Sequence, residues 1–221
     1  MSIATIVMGK SGHGKSTSIR NFDPDKTLII QAVRKPLPFR AKEWKPWDSA
    51  SKTGSVAVTD SARNICAAIE RAPSNGKSVV IIDDFQYVMS NEFMRRSAER
   101  GFDKFTEIAR GAWDVLNMAM SGPEDVRVYI LTHTETDEWG QNAKVKTIGK
   151  LLDDKIVLEG MVTTVLKALK QDGQYFFSTQ SDGTDTVKSP MGLFESALID
   201  NDLAAVDKAI CEYYGIEGDA E

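Results

Sequence analysis

Residues 9–16 read GKSGHGKS, a stretch that neither a strand nor a helix accommodates well. Its three glycines raise the entropic cost of ordering the backbone, while its lysines and serines add nothing to a core. Yet it directly follows IATIVM at 3–8, a β-branched run that reads as a buried strand and stops at Gly9. Residues 15–21 can then start a helix, which Asp23-Pro24 ends. The order strand, glycine-rich loop, helix constrains the rest of the chain. Gly9, Gly14, Lys15 and Ser16 fall on the fixed positions of GxxxxGK[ST], a pattern whose backbone amides turn inwards around phosphate oxygens. The expected cradle is Gly9, Lys10, Ser11, Gly12, His13, Gly14, Lys15, Ser16 and Thr17. Lys15 brings a mobile positive charge to the β- and γ-phosphates, and the Ser16 hydroxyl can ligate Mg²⁺. Local stability is given up to bind the phosphates of a nucleotide such as ATP.

Further along, 27–32 (TLIIQA) reads as a second buried strand, and 33–54 as a long surface excursion with three prolines. Residues 55–59 fit a short strand, and Asp60 or Ser61 caps a helix ending near 72. SVVIIDD at 78–84 is the most strand-like segment of the chain. A helix over 103–120, broken by Gly122-Pro123, leads into the strand VRVYILTH at 126–133. Late in the chain, 163–169 and 174–180 flank Asp172-Gly173, a hairpin signal, and a helix over 201–214 ends at Gly215. Strands alternating with helices predict an α/β fold with a mostly parallel central sheet, helices on both faces and a C-terminal antiparallel hairpin extension. The length predicts a single domain over 1–221, with its core at about 1–160 and the hairpin and last helix at about 161–215.

The two cysteines, Cys66 and Cys211, form neither a metal spacing nor a disulfide framework, as expected of a reducing cytoplasm. No apolar run reaches the length of a membrane span, and the first is too short for a signal segment. The net charge of −5 gives no global attraction to nucleic acid, so any such contact needs a local basic patch.

A phosphate loop predicts an acid at the end of another buried strand, where it holds Mg²⁺ through water. Asp83 fits that position. Asp84 can orient or deprotonate an attacking water, or else cap the next helix. Thr132 and His133 end the strand VYILTH, where ligands of open α/β sheets bind, and His133 can sense the terminal phosphate.

Together GKSGHGKST, VVIIDDFQYVM, YILTHTE, KVKTIGKLLDDKI and the terminal hairpin resemble the RecA-like P-loop ATPases of bacteriophages, the Sak-type single-strand annealing proteins and related phage ATP-binding proteins. The resemblance implies a RecA-like core that binds ATP and Mg²⁺ at subunit interfaces and self-assembles as a ring or filament. It also implies work on single-stranded DNA in the bacterial host cytoplasm, with a single-strand-binding protein as a further partner and no membrane. It matches Gly9 to Thr17 with the family's phosphate loop, Asp83 with its Mg²⁺-side acid and His133 with its sensor. RecA proteins usually carry a catalytic Glu near the end of the second strand, but TLIIQAVRK has Gln31 and no carboxylate. The expectation is therefore an ATPase that hydrolyses slowly and responds to DNA, with Asp84 replacing the missing Glu.

Two basic segments are candidates for DNA. Residues 34–52 carry six cations against two acids, a balance of +4, with Arg40, Lys42, Trp44 and Trp47 supplying charge and stacking rings. The alternative is a loop whose tryptophans pack on the core while its lysines are solvated. Residues 93–105 offer Arg95, Arg96, Arg100 and Lys104; a solvated helix face is the alternative. In KVKTIGK, Lys144, Lys146 or Lys150 is placed by the resemblance as a finger reaching an adjacent subunit's γ-phosphate; a hairpin with ordinary surface lysines is the alternative. Competing functions are an assembly switch resembling a helicase loader, with little hydrolysis, and a small-molecule kinase acting on nucleosides. The kinase reading lacks an arginine-rich lid after the sensor strand.

Overall fold

The computed structural model describes residues 1–136, 142–149 and 151–216, except for the side chains of residues 153 and 154. Its elements begin with β1 (Ile3–Gly9), a 3₁₀ helix (Ser16–Asn21), β2 (Thr27–Gln31), β3 (Val56–Val58), α1 (Ala62–Arg71), β4 (Val79–Asp83) and α2 (Gln86–Arg95). Then come α3 (Asp103–Ser121), β5 (Arg127–Thr136), β6 (Ala143–Val145), a π-helical turn (Leu151–Lys155), α4 (Leu158–Met161), β7 (Thr164–Gln171), β8 (Gln174–Ser178), β9 (Leu198–Asp200) and α5 (Leu203–Tyr214). The sheet runs β3-β2-β4-β5-β1-β7-β8-β9, with β6 paired to the end of β5. Every pairing from β3 to β7 is parallel, and β8 and β9 extend the sheet antiparallel at one edge. The α/β architecture read from the sequence is borne out.

Alternation along each central strand builds two cores. Ile6, Met8, Ile30, Ile82 and Ile130 face one side, where α1, α2 and α3 cover them with Ile65, Ile69, Met89, Val115 and Leu116. Val7, Ile29, Ile81, Tyr129 and Leu131 face the other, against Ile19 and Phe22 of the segment after β1 and Leu203, Val206 and Ile210 of α5. Ser61 caps α1 by accepting from the Asn64 amide at 3.4 Å. Asp60, the other capping option, accepts instead from Asn91 and Arg95 on α2.

Three local differences from the sequence reading have physical causes. The helix after the glycine-rich loop is only a six-residue 3₁₀ helix. Phe22 leaves it in an extended conformation, packs its ring 5.9 Å from Tyr129, and Pro24 follows closely. So short a helix has little macrodipole to offer a phosphate, which places that work on the loop amides and Lys15. Helix α2 carries only a weak apolar stripe, and it starts because Asp84 adopts the left-handed conformation (φ 61°) that turns the chain off β4. The strand β9 is three residues long and, among the described residues, pairs only with β8.

Helix α5 is tied to the sheet by a buried network. Arg127 Nε and Nη2 donate to Asp207 at 3.1 and 3.0 Å, and the Tyr129 hydroxyl donates to it at 2.6 Å. Burial and the neighbouring carboxylate push the Tyr129 hydroxyl well above its ordinary pKa, so it stays protonated as the donor. Among the described residues, no helix is long and apolar enough to cross a membrane. Replacing Asp207 with Ala strands a buried guanidinium and should lower the unfolding free energy by about 3 kcal/mol in a urea titration. Changing the pair together (Arg127→Met with Asp207→Leu) should recover most of that loss.

Candidate functional site

Parallel register brings the carboxyl ends of four strands to one edge of the sheet. Gly9 on β1 lies opposite His133 on β5, Ile82 on β4 opposite Ile130 on β5, and Gln31 on β2 opposite Asp83 on β4. Strand β5 therefore separates β1 from β4, and His133 stands between the glycine-rich loop and the two aspartates.

The loop is shaped by its glycines at three points. Gly12 (φ 78°) and Gly14 (φ 87°) adopt left-handed conformations. A Cβ at Gly9 would stand 2.9 Å from the Ala168 carbonyl oxygen of β7, so this position must be bare for β1 and β7 to pair. Lys15 is buried, and its Nζ donates to the carbonyls of Gly9 at 2.7 Å and Lys10 at 3.0 Å. Burial lowers its pKa to about 8, against the pull of Asp84 and Asp83 in the other direction. The His13 ring pairs through Nδ1 with the Ala168 carbonyl at 3.2 Å, which fastens the loop to β7. Ser11, Gly12, Gly14, Lys15, Ser16 and Thr17 line one wall of a cavity of about 200 Å³. Lys35, Pro36, Pro38, Asp84 and His133 complete it.

Asp83 is fully buried, and its Oδ1 accepts from Ser16 Oγ at 2.8 Å. Its Oδ2 has no hydrogen-bond partner among the described residues; the Lys35 ammonium lies 3.7 Å away. Burial raises the Asp83 pKa, with Lys35 acting against it. Asp84 behaves oppositely. Burial would raise it too, but the neighbouring His133 ring and the Lys35 ammonium outweigh that and hold the carboxyl below its ordinary range. Lys35 Nζ donates to Asp84 Oδ2, and His133 Nε2 lies 3.6 Å from Oδ1. Helix α2 has no side-chain cap at its start, so the capping alternative for Asp84 is not realised. The neighbouring Thr132 hydroxyl is buried without a hydrogen-bond partner among the described residues.

Lys35 was not singled out for this site by sequence. It reaches the aspartates because β2 pairs directly with β4, and because Gln31 Nε2 donates to the Lys35 carbonyl at 3.0 Å and fixes the turn after β2. Where a carboxylate is expected by resemblance, the chain places an amide that positions a cation. The available signal was a lysine followed by two prolines just past a strand that lacks the acid. Tyr175 and Asn201 were also missed: a Cβ at Gly14 would stand 2.9 Å from the Tyr175 ring and 3.1 Å from Asn201 Oδ1.

An implied Mg²⁺ can be tested against these groups. Ser16 Oγ and both Asp83 oxygens are hard donors suited to it, and one of them is buried without a hydrogen bond. Among the described residues no cluster of three or more His, Cys, Asp or Glu can hold a metal by itself, so phosphate and water oxygens would have to complete the shell. The residues fit a nucleotide-borne metal.

The other predicted residues lie elsewhere, and several are committed to structure. Trp44 is only 8% exposed and packs edge-on to Phe39 at 6.0 Å in the second core, so of its two readings the core-packing one is realised and the base-stacking one is not. Trp47 packs partly buried against the first core, while Arg40 and Lys42 are exposed. Lys104 is 8% exposed, donates to the carbonyls of Glu99 and Arg96, and lies over the Phe93 and Phe105 rings. It staples the connection between α2 and α3 and is not a surface contact for phosphate. Arg96 is held by Glu92, Glu99 and Glu107, and Arg95 by Asp60, whereas Arg100 is exposed. Lys144 pairs with Glu135 at 3.4 Å across the β5–β6 hairpin. Lys146 has an exposed side chain, and its amide donates to the His133 carbonyl at 2.8 Å. Lys150 lies outside the described residues.

No family model matches the chain, and no curated protein matches it. Among solved structures it is similar to a KaiC-like protein from the hyperthermophilic archaeon Pyrococcus horikoshii OT3, at 14% identity and a TM-score of 0.42. That match covers 80% of this chain and 77% of the archaeal one.

Gly9→Ala should cost about 1–3 kcal/mol in a urea titration, because the new methyl meets backbone that cannot move without breaking the β1–β7 ladder. Gly12→Ala, with open space around its Cβ, should cost only the strain of its positive φ, about 1 kcal/mol.

Proposed function

We propose that this chain is a single-domain, RecA-like P-loop ATPase that handles single-stranded DNA as a ring or filament of its own copies. The observation that carries the reading is the Ser16–Asp83 hydrogen bond at the buried ends of the loop and β4, with the Lys15 ammonium folded onto the loop carbonyls beside it. Both are polar groups held at 3.0 Å or less in positions where a triphosphate and its metal would engage them.

In this reading Lys15 leaves the Gly9 and Lys10 carbonyls for the β- and γ-phosphate oxygens, and the amides of Gly9 to Thr17 hold the rest of the chain of phosphates. Ser16 and Asp83 hold Mg²⁺, which when bound neutralises charge developing on the transferred phosphoryl group. Asp84, kept ionised by Lys35 and His133, accepts a hydrogen bond from the attacking water and orients it. His133 reports the state of the site to β5 and the β5–β6 hairpin. Beyond Thr17 a further cavity, of about 470 Å³ and lined by Arg20, Tyr175 and Asn201, would seat the base and ribose.

Exposed Arg40, Lys42 and Arg100 supply sequence-independent contacts to the DNA backbone. Self-assembly would bring Lys144, Lys146 or Lys150 to a neighbour's γ-phosphate, and a single-strand-binding protein is a natural further partner in the cytoplasm. A second reading, an assembly switch with little hydrolysis, is favoured by one observation: Asp84 is occupied by Lys35, and residues 27–35 contain no other carboxylate.

ATP hydrolysis measured with and without single-stranded DNA tests the proposal. The parent should be slow and modestly stimulated by DNA, and Lys15→Ala should be inactive in both conditions. Equal residual rates in parent and variant overturn the site. Assembly that follows ATP binding without phosphate release would select the switch. Affinity for DNA should fall steeply as salt rises, and Arg40→Ala with Lys42→Ala should flatten that slope by about two counterions.

A further inference from the structure

Lys35 faces the site from a loop that the phosphate-binding pattern does not contain. Its backbone is held: the Gln31 side chain donates to its carbonyl, the Ala32 amide donates to the Asp83 carbonyl at 3.1 Å, and Pro36 follows. Its side chain is not confined in the same way, being 37% exposed. The ammonium rests on Asp84, with Asp83 Oδ2 at 3.7 Å, and the cavity it lines is the one lined by Lys15 and Ser16.

We infer that Lys35 exchanges partners during nucleotide binding: alone it neutralises the Asp83–Asp84 pair, and with a magnesium-bound nucleoside triphosphate it moves onto the terminal phosphate. The inference rests on the reading of residues 9–17 as a triphosphate cradle. Charge balance drives the exchange. The Lys35 ammonium lies beside both carboxylates, and the Lys15 ammonium is folded onto the neighbouring loop, so two positive charges stand against two negative ones. A divalent ion held by Ser16 and Asp83 would duplicate the charge that Lys35 supplies, and like charges at this separation repel. The terminal phosphate brings matching negative charge into the same cavity, within the sweep of a four-carbon stem anchored at Lys35. A diphosphate lacks that group, so Lys35 stays on Asp84 and competes with the metal. Lys35 thereby makes the site prefer triphosphate over diphosphate from within one chain, in place of a carboxylate after the second strand.

Calorimetry on the full chain with magnesium–ATP and magnesium–ADP, comparing parent, Lys35→Ala and Lys35→Met, tests this. Both variants should lose affinity for ATP by about tenfold and keep or improve affinity for ADP, so that the preference collapses. Without nucleotide, Mn²⁺ followed by electron paramagnetic resonance should bind both variants about tenfold tighter than the parent, because the acids have lost their resident cation. An unchanged ATP-to-ADP ratio, or unchanged Mn²⁺ binding, overturns the inference. Lys35→Met keeps the apolar stem, so a loss seen in Lys35→Ala alone is loss of packing and also overturns it. Lys15→Ala separates the two levels. If it binds ATP as the parent does, the cradle itself fails; if it loses ATP while the Lys35 variants keep the ratio, only the role of Lys35 fails. A parent that binds neither nucleotide overturns both.

Discussion

Burying a carboxylate without full compensation is costly, and Asp83 is buried completely at the end of β4 with one oxygen unbonded among the described residues. The surrounding structure makes that position tolerable. Ser16 donates from the far side of β5, Lys35 approaches from the turn after β2, and Lys15 lies within electrostatic reach in the loop after β1. Two segments distant in sequence from Asp83 thus converge on one acid. Their convergence depends on the parallel register of β1, β5, β4 and β2, and the site exists only when that sheet is intact.

The insertion of β5 between β1 and β4 sets the width of the site. Direct neighbours in a sheet lie less than 5 Å apart, so one intervening strand roughly doubles the gap between phosphate loop and acid. That gap is bridged by the Ser16 side chain reaching Asp83, and it leaves His133 in the middle, facing Asp84. The same arrangement divides two carboxyl groups that are adjacent in sequence. Asp83 points into the interior and has a raised pKa, while Asp84, turned by its left-handed backbone, meets the Lys35 ammonium and the His133 ring and has a lowered one. Adjacent aspartates acquire different chemistry from the strand end alone.

Much of this was legible in the chain. The glycine spacing, the apolar run before it and the acid after VVII identified the loop, the alternation of strands with helices and the acidic end of β4, because each depends on local pattern. What was not legible depends on pairing. Lys35 lies forty-eight positions before Asp83 and becomes its neighbour only through the β2–β4 ladder. Gln31 looked like a missing catalytic acid, but its amide holds the turn that delivers Lys35. Residues 34–52 mixed rings and cations in a way that fits either a single-strand binding surface or a loop packed on the core, and only the packing of Trp44 against Phe39 and the second core decides between them. Lys104 looked like a surface cation for the same reason: composition records its charge, while only packing shows that its ammonium is spent on two backbone carbonyls and two aromatic faces.

A structure of the chain crystallised with Mg²⁺ and a non-hydrolysable ATP analogue tests the central claim most directly. The account predicts the phosphates lying across residues 9–17, Lys15 withdrawn from the Gly9 carbonyl, and Ser16 Oγ turned from Asp83 to the metal. An analogue bound elsewhere, with the Ser16–Asp83 hydrogen bond unbroken and Lys15 still folded onto the loop, would contradict it.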